Sequence, residues 1–191
     1  FISDVKNLLA HTNKKRQTLL FSATISPTVN ELANSLLKKH TEIRVDKLNI
    51  TADTVEHAMY PVEERRKIEL FLELLEENNW FQVLVFTSTK HQADKLMASL
   101  KLQKVQAAVC HADKSQGSRR RALADFKSGK LQVLIATEVA ARGLDIQGLD
   151  YVVNFNLPYL PEDYVHRIGR TGRAGKSGHA ISFVSREEER M

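Results

Sequence analysis

The sequence predicts an α/β fold, a parallel sheet with helices on both faces. Two observations predict it. From Thr54 onward, strand-like runs alternate with helix-like stretches, which is the pattern of βαβ units. Two of those runs, Val83–Phe86 and Leu131–Ala136, are almost continuously apolar, as strands buried on both faces should be.

Each element has its own signal. Ile2, Val5, Leu8 and Leu9 have helical spacing. Thr18–Phe21 reads as a short apolar strand that ends at Ser22-Ala23-Thr24. A helix follows, with Ser26 as N-cap, Pro27 at its first position and an apolar face of Val29, Leu32, Ala33, Leu36 and Leu37. Glu42–Val45 reads as a brief strand, and the polar run Asp46–Asp53 as a linker. Beyond it the strands are Val55–Val62, Val83–Phe86, Ala107–Cys110, Leu131–Ala136, Tyr151–Phe155 and His179–Val184. The helices between them are Arg65–Glu77, His91–Leu100, Ser115–Ser128 and Glu162–Ile168, with Gly129 as the C′ stop of the third.

In a sheet of this kind ligands bind beyond the carboxyl ends of the strands. Those ends carry chemistry. Phe86 runs into Thr87-Ser88-Thr89-Lys90, and Cys110 into His111, Gln116 and Arg119. Ala136 runs into Thr137-Glu138 and then Arg142-Gly143-Leu144-Asp145. Hydroxyls and arginines there suit phosphate oxygens. Helix capping explains Thr89 or Ser115 equally well. Asp145 reads either as a turn residue or as a carboxylate for a ligand hydroxyl. Gly143 suggests close backbone approach beside Thr137 and Arg142.

The densest cluster is His166–Arg173, HRIGRTGR. Arg167, Arg170 and Arg173 recur every third residue, so a helical or turn-like backbone would bring them to one side. Arginine's planar fork grips phosphate in a bidentate way that lysine does not match. The plainer alternative is a basic surface turn. The GRAGKS stretch ending at Ser177 is not a Walker A loop, because Arg170 stands where that pattern needs its first glycine.

Composition narrows the classes. The chain has 191 residues, 42% of them hydrophobic, and a net charge of +5. It is globular, with a modest pull towards a polyanionic partner. No apolar run approaches the ~18 residues of a membrane span. The chain opens on Phe1, and no signal-peptide pattern follows. Cys110 is the single cysteine, which rules out an internal disulfide, fits a reducing compartment and leaves no zinc-type Cys/His set. No G-x-S-x-G elbow is present.

Five blocks in one order carry a resemblance: Ser22-Ala23-Thr24, Val83–Thr89, His111–Arg119, Thr137–Asp145 and His166–Arg173. The chain resembles the C-terminal part of a DEAD-box RNA helicase, most closely of the bacterial RhlE type. Two positions depart from the family's usual pattern. Ala112 stands where Gly follows the His, and Glu138 where Asp follows the Thr.

The resemblance implies a RecA-like second domain over residues 54–191, a linker at 47–53, and the end of a first RecA-like domain at 1–46. The first-domain remnant is expected to be only partly ordered by itself, or to dock non-natively so as to hide Leu32, Leu36 and Leu37. The Walker A loop and the DEAD carboxylates would precede Phe1. By resemblance, Arg170 and Arg173 are arginine fingers, with His166 assembling the closed state. Gly143 and Asp145 bind the nucleotide. Thr89, Arg119 and Thr137 contact the RNA backbone, supported by Gln116 and His111, and Ser22, Thr24 and Arg142 couple the domains. The implied activity is ATP-dependent RNA unwinding in the cytoplasm. ATP comes with Mg²⁺ held by the first domain, and the RNA is gripped with little sequence preference. Two alternatives are a non-catalytic RNA- or partner-binding module of the same fold and a DNA helicase of the wider superfamily.

Overall fold

The computed structural model describes residues 2–22, 27–37, 39–43, 55–142, 144–172 and 177–190. The chain divides into two compact units, Phe1–Asp46 and Lys47–Met191.

The first unit carries α1 (Ile2–Ala10) and α2 (Pro27–Leu36), and neither helix has a fully buried residue. Residues 18–21 form no strand, and Leu19 and Phe21 are exposed. A strand exists only through hydrogen bonds to a neighbour, and no described residue of this unit provides one. Of the second expected strand, residues 42 and 43 are not in a strand, and 44 and 45 lie outside the described residues, as does the expected N-cap Ser26.

The second unit holds a six-stranded sheet whose pairings are all parallel. Its elements are β1 (Val55–Pro61), a 3-10 turn Glu64–Arg66, α3 (Lys67–Glu77), β2 (Val83–Thr87), α4 (Lys90–Leu102), β3 (Ala107–Cys110) and α5 (Gln116–Lys127). Then come β4 (Val133–Thr137), α6 (Glu138–Ala141), β5 (Tyr151–Asn154), α7 (Pro161–Ile168), β6 (Gly178–Val184) and a final 3-10 turn Glu188–Arg190. The spatial order is β1-β6-β5-β2-β4-β3.

The core follows from strand periodicity. In β2, Val83 and Val85 join one buried cluster with Phe71, Leu96, Leu100, Ile135 and Phe183, beneath α3 and α4. Leu84 and Phe86 point to the other face and join Phe126, Leu134, Ala136 and Val152, beneath α5 and α6. Side chains alternate along a strand, so a strand covered on both faces must be apolar at every position. β2 is buried throughout, as its composition requires.

Element boundaries differ slightly from the sequence reading. The helix expected from Arg65 begins at Lys67, because Glu64–Arg66 form a 3-10 turn. The short helix α6 carries no 3.6-residue pattern long enough to read. Gly129 does adopt a left-handed φ of 76° after α5.

Candidate functional site

Parallel pairing puts every strand's carboxyl end at one edge of the sheet. β2 and β4 are neighbours, with Thr87 opposite Thr137. The exits of these strands, which carry Thr89 and Thr137, are therefore adjacent. Thr89 is exposed, and its side chain caps α4 by accepting from the Gln92 N–H at 3.2 Å. Capping and a ligand contact are compatible, since a hydroxyl has two lone pairs. Thr137 is half-buried at the start of α6 and makes no capping hydrogen bond. Arg119 joins the pair, donating to the Ala140 carbonyl of α6 at 3.4 Å and to Gln116 at 3.3 Å. Its Nε is buried without a partner among the described residues. Thr89, Thr137 and Arg119 thus sit around the adjacent exits of β2 and β4.

A second set lies around α6 and α7. Arg170 donates to the Leu144 carbonyl at 3.0 Å, next to Asp145. The Asp145 side chain is 84% exposed and pairs with Lys127 at 2.8 Å. That hydrogen bond, the Lys127 charge and the nearby Arg170 hold its carboxyl below the ordinary 3.8. An exposed, ionised carboxylate beside a guanidinium suits a ligand that offers a hydroxyl and a phosphate. His166, on α7, has a buried Nε2 with no partner among the described residues. Arg142, from the end of α6, bridges to Asp163 of α7 at 2.7 Å and to Glu138 at 3.7 Å.

Arg167 corrects the sequence reading. α7 ends at Ile168, between Arg167 and Arg170, so a spacing of three no longer puts these arginines on one side. Arg167 is 3% exposed. It donates to Glu138 Oε2 at 2.7 Å, to the Asn156 carbonyl at 2.7 Å and to Asn154 Oδ1 at 3.3 Å, and lies over the Phe86 ring. It is an internal clamp and not a phosphate contact. Glu138, whose extra methylene departs from the family's Asp, is the carboxylate that meets it.

Other expected residues fall variously. His111 is buried, with Nε2 3.1 Å from Asp94 Oδ1. That contact, followed by Lys114, holds the Asp94 carboxyl below its usual value. Ser22 is exposed. Thr24, Gly143 and Arg173 lie outside the described residues. No group of three or more His, Cys, Asp or Glu able to hold a metal occurs among the described residues.

A buried network that the sequence reading missed backs this edge. Lys67 is fully buried and pairs with Glu188 at 2.6 Å and Glu64 at 2.8 Å. Glu188 also accepts from the Ser185 N–H and Oγ, each at 2.9 Å. One signal was available: Lys67 shares the helical face of Phe71, Leu74 and Leu75, an odd place for a lysine without a buried partner.

Comparison with known proteins decides the family. The model of the helicase conserved C-terminal domain matches residues 66–175, more than half of the chain. The chain belongs to the helicase C-terminal domain family. It is 40% identical, over its whole length, to the DEAD-box ATP-dependent RNA helicase CshA of Bacillus subtilis. It is also 40% identical, over 98% of its length, to the ATP-dependent RNA helicase RhlB of Pseudomonas syringae. It spans only 39% of the first relative and 48% of the second. Among solved structures, a DEAD box protein from Methanococcus jannaschii matches 99% of this chain and 51% of its own, at 39% identity and a TM-score of 0.68. A variant of S. cerevisiae Dbp5 bound to RNA and ADP BeF3 matches 96% of this chain and 49% of its own, at 32% identity and a TM-score of 0.84. The RecA-like sheet expected of this family of helicase domains is therefore the fold observed. No helix among the described residues is long and apolar enough to cross a membrane.

Proposed function

We propose that this helicase C-terminal domain, of DEAD-box type with an RhlE-like character, works as one half of an ATP-dependent RNA helicase. Residues 54–191 act as its second RecA-like domain, 47–53 as a linker, and 1–46 as the end of the first domain. The observation that carries the reading is the presence of two chemically distinct sets on the one sheet unit. Asp145 and Arg170 lie side by side, suited to a nucleotide's ribose and phosphates. Thr89, Thr137 and Arg119 surround adjacent strand exits, suited to successive phosphates of a single strand.

In this reading Arg170 and Arg173 face the γ-phosphate, and such fingers supply ~10³–10⁵ in rate, or roughly 4–7 kcal/mol. Asp145 and Gly143 hold the ribose side. His166, with its unpartnered buried Nε2, and Arg142 receive contacts from the first domain, and Ser22 and Thr24 carry the coupling from that side. Mg²⁺ belongs to residues of the first domain. Contacts to backbone phosphates leave little sequence preference. The enzyme acts in the cytoplasm. A non-catalytic binding module would have no use for Asp145 beside Arg170.

The test is phosphate release, with and without single-stranded RNA. The intact protein is expected to show RNA-stimulated turnover, and the 191-residue chain alone none. Turnover by the chain alone, or no RNA stimulation of the intact protein, would overturn the reading.

A further inference from the structure

Asn156 stands just past β5 and is 5% exposed. Every polar group it offers towards the strand-exit edge is engaged. Its Oδ1 accepts from the Ser88 N–H at 3.2 Å, its Nδ2 donates to Glu188 Oε1 at 3.4 Å, and its carbonyl accepts from Arg167 Nη1 at 2.7 Å. Glu188 is itself fixed by Lys67 at 2.6 Å, by Ser185 and by the Leu157 N–H at 3.1 Å. A continuous line of buried hydrogen bonds therefore runs from Lys67 through Glu188 and Asn156 to the backbone of Ser88. A branch at Arg167 reaches Glu138, next to Thr137.

Buried polar groups cost free energy unless all are satisfied, and an apolar filling would serve stability as well. What a filled polar line adds is geometric definition. It ends on the turn after β2, where the Thr89 hydroxyl is exposed. Ser88 and Thr89 are outside β2, so the sheet's own ladder does not fix them. Thr89's contacts, to Gln92 and from Thr87 Oγ1, are local to the same turn.

We propose that Asn156 is a positioning residue: braced by Glu188 and Arg167, it fixes the Ser88–Thr89 turn in the geometry in which Thr89 takes a phosphate of single-stranded RNA. This rests on the reading of Thr89 as an RNA contact. Asn156 touches no ligand and acts through the Ser88 backbone. Through Arg167 the same residue holds α7, the helix leading to Arg170, so the two ligand sets share one internal brace.

The experiment is a double-mutant cycle in the intact protein, read as the dissociation constant for a single-stranded oligouridylate. It is paired with amide exchange at Ser88 in the 191-residue chain. Asn156→Ala removes the acceptor, and Ser88 exchange should accelerate at least tenfold while RNA binding weakens about fivefold. Asn156→Asp keeps the acceptor oxygen but replaces the donor to Glu188 with a second carboxylate, so it should restore both only in part. If Asn156→Ala does not fold, Asn156→Ser, whose hydroxyl is too short to reach Ser88, should give the same pattern. Thr89→Ala should weaken binding about fivefold in the parent and less than twofold beside Asn156→Ala. Equal losses from Thr89→Ala in both backgrounds, or unchanged Ser88 exchange, would overturn the proposal alone. No effect of Thr89→Ala in the parent would instead remove the RNA reading of that residue, and the proposal with it.

Discussion

Arg167 and Glu138 form an ion pair at the strand-exit edge, Nε to Oε2 at 2.7 Å, with the arginine 3% exposed. One partner comes from the helix that leads to Arg170 and the other directly follows Thr137. The pair therefore ties α7 to the exit of β4. Removing one member of a buried pair leaves the other uncompensated, at a cost of about 3–5 kcal/mol.

Arg167→Leu should accordingly lower the stability of the sheet unit by about that amount in urea unfolding. Arg167→Lys should recover only part of it, because an ammonium cannot make the forked contacts to Glu138 and the Asn156 carbonyl together. A loss under about 1 kcal/mol for Arg167→Leu would mean that the clamp is dispensable.

Glu188 predicts an acid-side effect. Burial opposes its ionisation, but the Lys67 ammonium and the Ser185 N–H and Oγ outweigh burial and hold the carboxyl below 4.5. A depressed folded value contributes stability above the ordinary value, and that stability is lost as pH falls through the lower folded value. Urea midpoints measured from pH 7 downwards should fall below about pH 4.5. Glu188→Gln should start lower, because Lys67 loses its buried charge partner and keeps only the more exposed Glu64, and should respond less to acid. A variant with the parent's acid slope would assign the slope to other carboxylates.

Gly178 opens β6 where no side chain fits. A Cβ there would clash with Thr171 Oγ1 and the Gly172 N–H and lie 2.8 Å from Thr171 Cβ. Thr171 anchors the turn after α7, donating from Oγ1 to the Leu149 carbonyl. Gly178→Ala should cost at least about 2 kcal/mol by overpacking, read as a lowered unfolding midpoint. A midpoint equal to the parent's would show that the turn yields.

If the proposed function holds, the two residue sets should separate in the intact protein. Arg170→Ala should reduce RNA-stimulated hydrolysis by ~10³ or more, with nucleotide-free RNA binding kept. Arg119→Ala should weaken RNA binding and lower its salt slope by up to ~0.7, the value for one single-strand phosphate. Parallel loss of both activities in both variants would contradict the division.

Amide exchange should also divide the chain. α1 and α2 have 9 and 10 residues and no fully buried one, whereas β4 is almost wholly buried. Helices shorter than ~12–15 residues are marginal without packing. Their amides should exchange orders of magnitude faster than those of Val133–Thr137, and equal protection would contradict this.

The amino-acid sequence by itself determined the local elements of the sheet unit and the places where its chemistry sits. β2 and β4 were legible because burial on both faces demands an unbroken apolar run, and the caps Ser115 and Gly129 because their roles depend on neighbours a few residues away. Thr89, Thr137 and Arg119 could be grouped because parallel strands bring their exits to one edge. Only the tertiary structure decided what Arg167, Lys67, Asn156 and Glu188 do. Lys67 and Glu188 are 121 residues apart, and they meet because the order β1-β6-β5-β2-β4-β3 brings the end of β6 to the start of α3. Arg167 looked like its neighbour Arg170, since charge and spacing are local properties. α7 stops at Ile168, and that sends Arg167 inward and leaves Arg170 half-buried beside Leu144.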